Sequence, residues 1–234
     1  MRRFFGEKIN NDIIIKDEDF IHLTKVLRMK KGDNIICIVD DDFDYLCEID
    51  AIAKNFCKTK IISYKKNRSL PNKNITLFQA LPKKDYLDEI IAKSVELGVS
   101  KLQLFHSEYS NSKEIKLNRI KSQIITASKQ CERSKLMACE KLISFNEMIK
   151  LLNQYDIIIF ANEKEEKNNF FNIKNLEKAK NIAVIVGNEG GFSDKERENI
   201  LTLTQNSISL GSRILRCPTA VVSILSLINL FSGN

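Results

Sequence analysis

Tryptophan is absent from this 234-residue chain, histidine occurs twice, proline three times and glycine eight times. Such scarcity of proline and glycine excludes collagen-like repeats and Pro/Gly-rich low-complexity sequence. The two histidines, His22 and His106, stand far from the six cysteines Cys37, Cys47, Cys57, Cys131, Cys139 and Cys217, and no two cysteines are spaced C-x-x-C. A zinc site needs closely spaced ligand pairs, so no metal is expected and the thiols read as buried groups in a reducing compartment. No charge-free apolar run approaches the roughly 20 residues of a membrane-spanning helix. The start, Met1-Arg2-Arg3-Phe4-Phe5-Gly6-Glu7, turns polar too soon for a signal peptide. The expectation is a cytosolic protein without a membrane partner.

What is present is an ordinary globular composition, 43% apolar and 29% charged, with 37 basic against 30 acidic side chains and a net charge of +7. That balance suits a polyanionic partner, and plain solubility as well. Much of the excess lies in one stretch. Lys113, Lys116, Arg119, Lys121, Lys129, Arg133, Lys135 and Lys141 are offset there only by Glu114, Glu132 and Glu140. It reads either as a solvated face or as a nucleic-acid contact.

Pattern divides the chain in two. Residues 1–70 read as mostly β, with strands at Asn34 to Val39, Tyr45 to Ala53 and Phe56 to Tyr64. One short helix, Glu18 to Leu27, interrupts them, with Asp17 as N-cap and Gly32 beyond its end. A small β-barrel or compact sheet is predicted. Asn67 to Asn74 has no apolar period and contains a proline, which marks a boundary. From residue 75 to 234, strands at Ile75 to Leu81, Lys101 to Phe105, Asp156 to Ala161, Ile182 to Val186 and Ser207 to Leu210 alternate with helices. Lys84 to Leu97 carries Leu87, Ile90, Ile91, Ser94 and Val95 on one side. Leu117 to Arg133 turns Ile120, Ile124 and Ala127 inward. Shorter helices are predicted near Phe145 to Leu152 and Asp194 to Leu203, and Ala220 to Phe231 closes the chain. Strands alternating with helices predict an α/β domain built on a parallel sheet.

Ligands bind outside the carboxyl ends of strands in open parallel sheets, and two loops at such ends stand out. Val186-Gly187-Asn188-Glu189-Gly190-Gly191-Phe192-Ser193 holds three of the eight glycines. It reads as a close-approach ligand loop or as a tight turn capped by Ser193. Neither G-x-x-x-x-G-K-[ST] nor G-x-G-x-x-G fits it. The second loop, Leu210-Gly211-Ser212-Arg213-Ile214-Leu215-Arg216-Cys217-Pro218-Thr219-Ala220, sets two arginines in an apolar stretch.

The blocks Gly187 to Ser193 and Leu210 to Arg216 resemble the signature of the 16S ribosomal RNA uridine-N3 methyltransferases, the RsmE family of the SPOUT superfamily. Arg3-Phe4-Phe5, His22 with Val26-Leu27-Arg28 and Gly32, Glu96-Leu97-Gly98-Val99, and Ala127-Ser128-Lys129-Gln130-Cys131-Glu132-Arg133 agree in order along the chain. The family usually carries proline at the position of Asn188, Glu-Thr where Pro218-Thr219 stands, and an acid in place of Lys129.

The resemblance implies a PUA-like RNA-binding β domain over 1–70 and a trefoil-knotted SPOUT domain over 75–234. It also implies S-adenosylmethionine as cofactor, a homodimer, and methylation of uridine N3 near the decoding site of the small ribosomal subunit. Carried onto this chain, the cofactor site comprises Ala161, Val186, Gly187, Asn188, Glu189, Gly190, Gly191, Leu210, Gly211, Ser212, Ile214, Leu215 and Thr219. Arg216 or Arg213 would orient the base and stabilise its developing negative charge, because a guanidinium stays charged and donates in a fixed fork. Glu189 would face the sulfonium or take a proton. Arg2, Arg3, Arg28, Lys129, Arg133 and Lys135 would hold phosphates. Cys217 lies in the same loop, but a deprotonated N3 already has a lone pair and needs no covalent activation. Two alternatives stay open: another SPOUT methyltransferase acting on a different base or a ribose 2′-hydroxyl, and a non-catalytic RNA-binding assembly factor.

Overall fold

The computed structural model describes residues 1–110 and 114–232, so Lys113 of the basic stretch lies outside the described residues. The chain forms two compact units, Met1–Leu70 with Ile125–Leu136, and Pro71–Ile124 with Met137–Asn234.

The first unit is a six-stranded sheet in the order β1-β4-β5-β6-β3-β2. Its strands are β1 (Arg3–Phe5), β2 (Glu7–Ile9), β3 (Asp12–Ile15), β4 (Asn34–Ile38), β5 (Phe43–Ile52) and β6 (Cys57–Lys66). Only Gly6 separates the two edge strands β1 and β2, so the sheet must curl until its edges approach. A Cβ on Gly6 would stand 2.5 Å from Ile13 Cγ2 and 2.9 Å from the Ile14 carbonyl, so the turn requires glycine. Phe4, Ile13, Ile15, Ile35, Cys37, Cys47 and Ile49 fill the inside of the curl. Helix α1 (Asp17–Ile21) runs into a π-helical turn, His22–Val26. Asp17 is not its cap. The N-cap is Lys16, without a side-chain bond, and Asp17 sits at φ +51°. The nearby carboxylate with a backbone role is Asp19, which accepts the Phe5 amide at 2.7 Å.

Segment 125–136 joins this unit through its acids. Asp44 accepts Arg3, Asn67 and Ser134; Asp40 accepts the Leu136 amide; Asp19 accepts Lys129. The sequence pattern had assigned this stretch to the second domain, since a helical period says nothing of which acids meet its polar groups.

The second unit is an all-parallel seven-stranded sheet, β10-β8-β7-β12-β11-β13 with β9 also on β8. In chain order it comprises β7 (Asn74–Ala80), α2 (Lys84–Glu96), β8 (Lys101–His106) and α3 (Leu117–Gln130), whose residues from Ile125 group with the first unit. There follow β9 (Ala138–Cys139), β10 (Ile143–Ser144), α4 (Phe145–Leu151), β11 (Ile157–Ala161), β12 (Asn181–Val186), α5 (Asp194–Leu201), β13 (Ser207–Ile208) and α6 (Cys217–Ser232). The five predicted strands and five predicted helices are all present; β9 and β10, two residues each, are too short for a period to reveal. Leu87, Ile90, Ile91, Ser94 and Val95 are all buried on α2, and Gly98 ends that helix at φ +78°. Helix α6 packs against α2 and buries Val221, Ile224, Leu225 and Ile228. No helix among the described residues is long and apolar enough to cross a membrane. They hold no cluster of three potential metal-ligating side chains either.

The strand order reverses between β7 and β12, and the loops that leave β12, its neighbour β11 and, beyond β11, the edge strand β13 open on one end of the sheet.

Candidate active site

Those three loops enclose one pocket. Ala161, Asn162 and Glu163 follow β11; Val186, Gly187, Asn188 and Gly191 follow β12; Ser209 to Leu215, with Cys217 and Ala220, follow β13. Val186, Leu210 and Leu215 are among its apolar lining residues, and the glycines Gly187, Gly191 and Gly211 line it as well.

The glycine loop is held from beneath. Gln79 Nε2 donates to the Gly187 carbonyl at 2.9 Å, which ties the loop to the end of β7. Asn188 is buried, and its Oδ1 accepts the Gly190 amide at 3.0 Å while its amide nitrogen donates to Ser107 Oγ at 3.2 Å. The asparagine thus shapes the turn with side-chain hydrogen bonds where a proline would do so with a fixed φ. Ser193 caps α5 in a reciprocal pair with Glu196, as its position in the sequence predicts. Glycine is required twice. A Cβ on Gly190 would lie 2.7 Å from Tyr109 Cβ, and Gly191 combines φ +67° with a Cβ position 2.9 Å from Glu163 Oε1.

Glu163 is the one acid among the residues lining this pocket. Arg197 holds it: the guanidinium donates to Glu163 Oε1 at 3.0 Å, Asp194 Oδ1 at 2.7 Å, Asn162 Oδ1 at 3.2 Å and the Phe192 carbonyl at 3.0 Å. The arginine side chain is only 9% exposed. A buried cation with this many acceptors is a fixed post. The sequence reading missed Asn162, Glu163, Ser209 and Ala220. For Asn162 and Glu163 the available signal was their position directly past a predicted strand, whereas Ser209 falls inside the strand predicted for Ser207 to Leu210.

Among the expected cofactor residues, Ala161, Val186, Gly187, Asn188, Gly191, Leu210, Gly211, Ser212, Ile214 and Leu215 line the pocket. Glu189, Gly190 and Thr219 do not line it. Glu189 is exposed and its carboxylate accepts the Lys83 amide at 3.0 Å, at the start of α2. Of the two arginines, Arg213 lines the pocket and Arg216, between the lining residues Leu215 and Cys217, does not; both are exposed. Cys217 lines the pocket but is buried, and burial, with the Glu189 charge adding to it, pushes its thiol up to about 12. That favours the neutral thiol at neutral pH, which is a poor nucleophile.

The expected phosphate contacts need correction. Arg3 is spent on Asp44, with both guanidinium nitrogens at 2.9 Å. Lys129 pairs with Asp19 at 2.5 Å. Arg133 is 2% exposed and donates to the Lys135 carbonyl; burial lowers its pKa. Arg3 and Lys129 are held within the first unit by acids, and Arg133 by burial and a backbone carbonyl. Arg2 and Arg28 are exposed, and Lys135 is exposed beside Asp42 at 3.4 Å.

Comparison with known proteins agrees with this geometry. The family model of the RNA methyltransferase domain matches residues 68–229, and that of the RNA methyltransferase PUA domain matches 15–62. The chain is 30% identical to ribosomal RNA small subunit methyltransferase E of Aquifex aeolicus, over 97% of this chain and 99% of that protein. It is 29% identical to the Bacillus subtilis protein of the same name, over 98% and 96%. The crystal structure of the Neisseria gonorrhoeae protein of that name, bound to S-adenosyl methionine, superposes with a TM-score of 0.88 at 24% identity, covering 99% of this chain and 98% of that one. A pocket at the carboxyl ends of a parallel sheet, a glycine loop and an arginine loop on either side of it, and matches over both units place this chain in the ribosomal RNA small subunit methyltransferase E family of RNA methyltransferases.

Proposed function

We propose that this chain methylates N3 of a uridine in small-subunit ribosomal RNA, near the decoding site, with S-adenosylmethionine as the donor. The observation that carries this reading is the three-loop pocket with Gly187, Gly191, Gly211 and Arg213 on its lining. The residues present fit the donor. Val186, Leu210 and Leu215 offer apolar contact to adenine, and Gly187 and Gly191 let backbone approach where side chains would intrude. Glu163, fixed by Arg197, offers carboxylate acceptors to the ribose hydroxyls. When bound, S-adenosylmethionine supplies a methyl group on a cationic sulfur.

Uracil N3 is an imide nitrogen, protonated at neutral pH, so its proton must leave and the resulting anion must be stabilised. Arg213 and Arg216 are exposed beside the pocket, and their guanidinium forks suit the two uracil carbonyl oxygens that carry the anion's charge. Glu189, oriented by the Lys83 amide, takes the proton in this reading. N3 is paired in a duplex, so the base enters unpaired or flipped. Arg2, Arg28 and Lys135 remain as phosphate contacts on the first unit. A homodimer through α6, a knotted path of the second unit and a cytoplasmic location belong to the same reading. Supporting the dimer, Leu230 and Phe231 of α6 are 75% and 42% exposed, beside Phe171 at 75%.

The test is incubation of the purified protein with S-adenosylmethionine and small-subunit particles, then primer extension and nucleoside analysis. The expected result is a new stop and 3-methyluridine. A methyl on ribose, or no transfer, would overturn the reading.

A further inference from the structure

A second cavity of the second unit lies apart from the cofactor pocket, between the β7–α2 turn, the start of α2 and α3. Its volume is about 250 Å³, whereas an engineered cavity of about 150 Å³ already admits a benzene ring. Leu81, Pro82, Leu87, Ile115 and Ile120 give it apolar walls. Two further lining residues carry buried acceptors without a hydrogen-bond partner among the described residues, Asp88 Oδ1 and Gln123 Oε1. Leaving such buried atoms unpaired is costly, so they call for a donor from outside the chain. At the mouth, Lys84, Lys116 and Arg119 are exposed, against Asp88 and Glu114. Asp88 Oδ2 already accepts Arg119 at 2.5 Å, which leaves Oδ1 as the open atom.

We propose that this cavity holds one nucleotide of the substrate RNA that flanks the target uridine, with a base that bears an exocyclic amino group. The apolar walls take the base, the two open acceptors take its N–H donors, and the lysines at the rim take its phosphates. Uracil, with a single ring N–H donor, satisfies only one acceptor. The place suits a neighbour of the target: the turn that forms one wall is the turn whose Lys83 amide binds Glu189 of the glycine loop. This inference rests on the RNA-methylating function proposed above. It assigns Lys116 of the basic stretch, and not Lys129 or Arg133, to the RNA.

The test is a cross between protein and RNA variants. Fluorescence anisotropy measures binding of a decoding-region RNA fragment to wild type, Gln123→Leu, Gln123→Glu and Lys116→Gln, with each nucleotide around the target made abasic in turn. Gln123→Leu is expected to weaken binding about tenfold, as is one abasic substitution in the wild type, and the two together no further. Gln123→Glu, which keeps an acceptor, should retain most of the affinity. Cofactor affinity by calorimetry and the melting temperature should not move. Losses that add at every position, or variants that bind like wild type, overturn the cavity assignment while methylation of the RNA proceeds. Coupling that persists without any methyl transfer overturns the proposed function alone. No RNA binding by wild type overturns both.

Discussion

Arg3 and Asp44 face each other across the first unit as a two-pronged pair, both guanidinium nitrogens 2.9 Å from the carboxylate oxygens. The Asp44 side chain is 4% exposed and also accepts Asn67 at 2.8 Å and Ser134. Removing one member of such a pair strands a buried charge, at a cost of about 3–5 kcal/mol. Asp44→Ala should lower the stability of the first unit by about that amount and release segment 125–136 from it, read by urea unfolding and amide exchange. Burial alone would raise the Asp44 pKa, but the bonds from Arg3, Ser134 and Asn67 outweigh it and hold the pKa below the ordinary carboxylate value. The contribution is therefore fully present above about pH 4 and is lost as pH falls through the depressed folded-state value. Wild-type stability of this unit that does not fall on acidification, or that the alanine variant matches, would show the pair to be idle.

Glu163 gains its fixed position from Arg197, whose guanidinium also binds Asp194, Asn162 and the Phe192 carbonyl. Glu163→Gln keeps the size but weakens the acceptor, and should reduce affinity for S-adenosylhomocysteine about tenfold by calorimetry. Gly191→Ala must accommodate a Cβ 2.9 Å from Glu163 Oε1 at φ +67°, and should lose at least as much. Unaltered cofactor binding in both variants would remove Glu163 from the site.

Arg213 and Arg216 are exposed and have no ion pair among the described residues, so substituting them should leave the fold intact. If they stabilise negative charge on the base, Arg216→Ala and Arg213→Ala should lower the single-turnover rate by about 10²–10³-fold each while cofactor affinity stays constant. A change confined to RNA affinity would make them phosphate contacts instead.

Legibility differed between the two units. On α2 the apolar spacing alone selects Leu87, Ile90, Ile91, Ser94 and Val95, because one face of an isolated helix must be buried whatever it meets. The glycine and arginine loops were visible for a related reason: glycines at positions of close approach, and charges in an apolar stretch, are local signals. Arg133 was not legible. A basic run reads as solvated face or nucleic-acid contact, and only the fold reveals that Asp40, Asp42 and Asp44 wait for the polar groups of 133–136. Strands β1 and β2, three residues each around Gly6, are too short to show a period. Glu163 escaped because the chemistry was sought in the loops with unusual composition, whereas the acid stands in an ordinary polar sequence and acquires its place from Arg197.

Cys217 supplies the sharpest negative prediction. It lines the pocket at the first residue of α6, where a thiolate would be the familiar nucleophile for pyrimidine chemistry. Burial and the neighbouring Glu189 charge push the thiol up to about 12, so at pH 7–8 the reactive anion is scarce. Cys217→Ser should therefore retain most of the methyl-transfer rate. Iodoacetamide should label this position far more slowly than a free cysteine at pH 8, with labelling that climbs only toward strongly alkaline pH. A serine variant without activity but with normal cofactor binding, or rapid alkylation at pH 7 that cofactor blocks, would show a thiolate at work and replace charge stabilisation by the arginines with covalent catalysis.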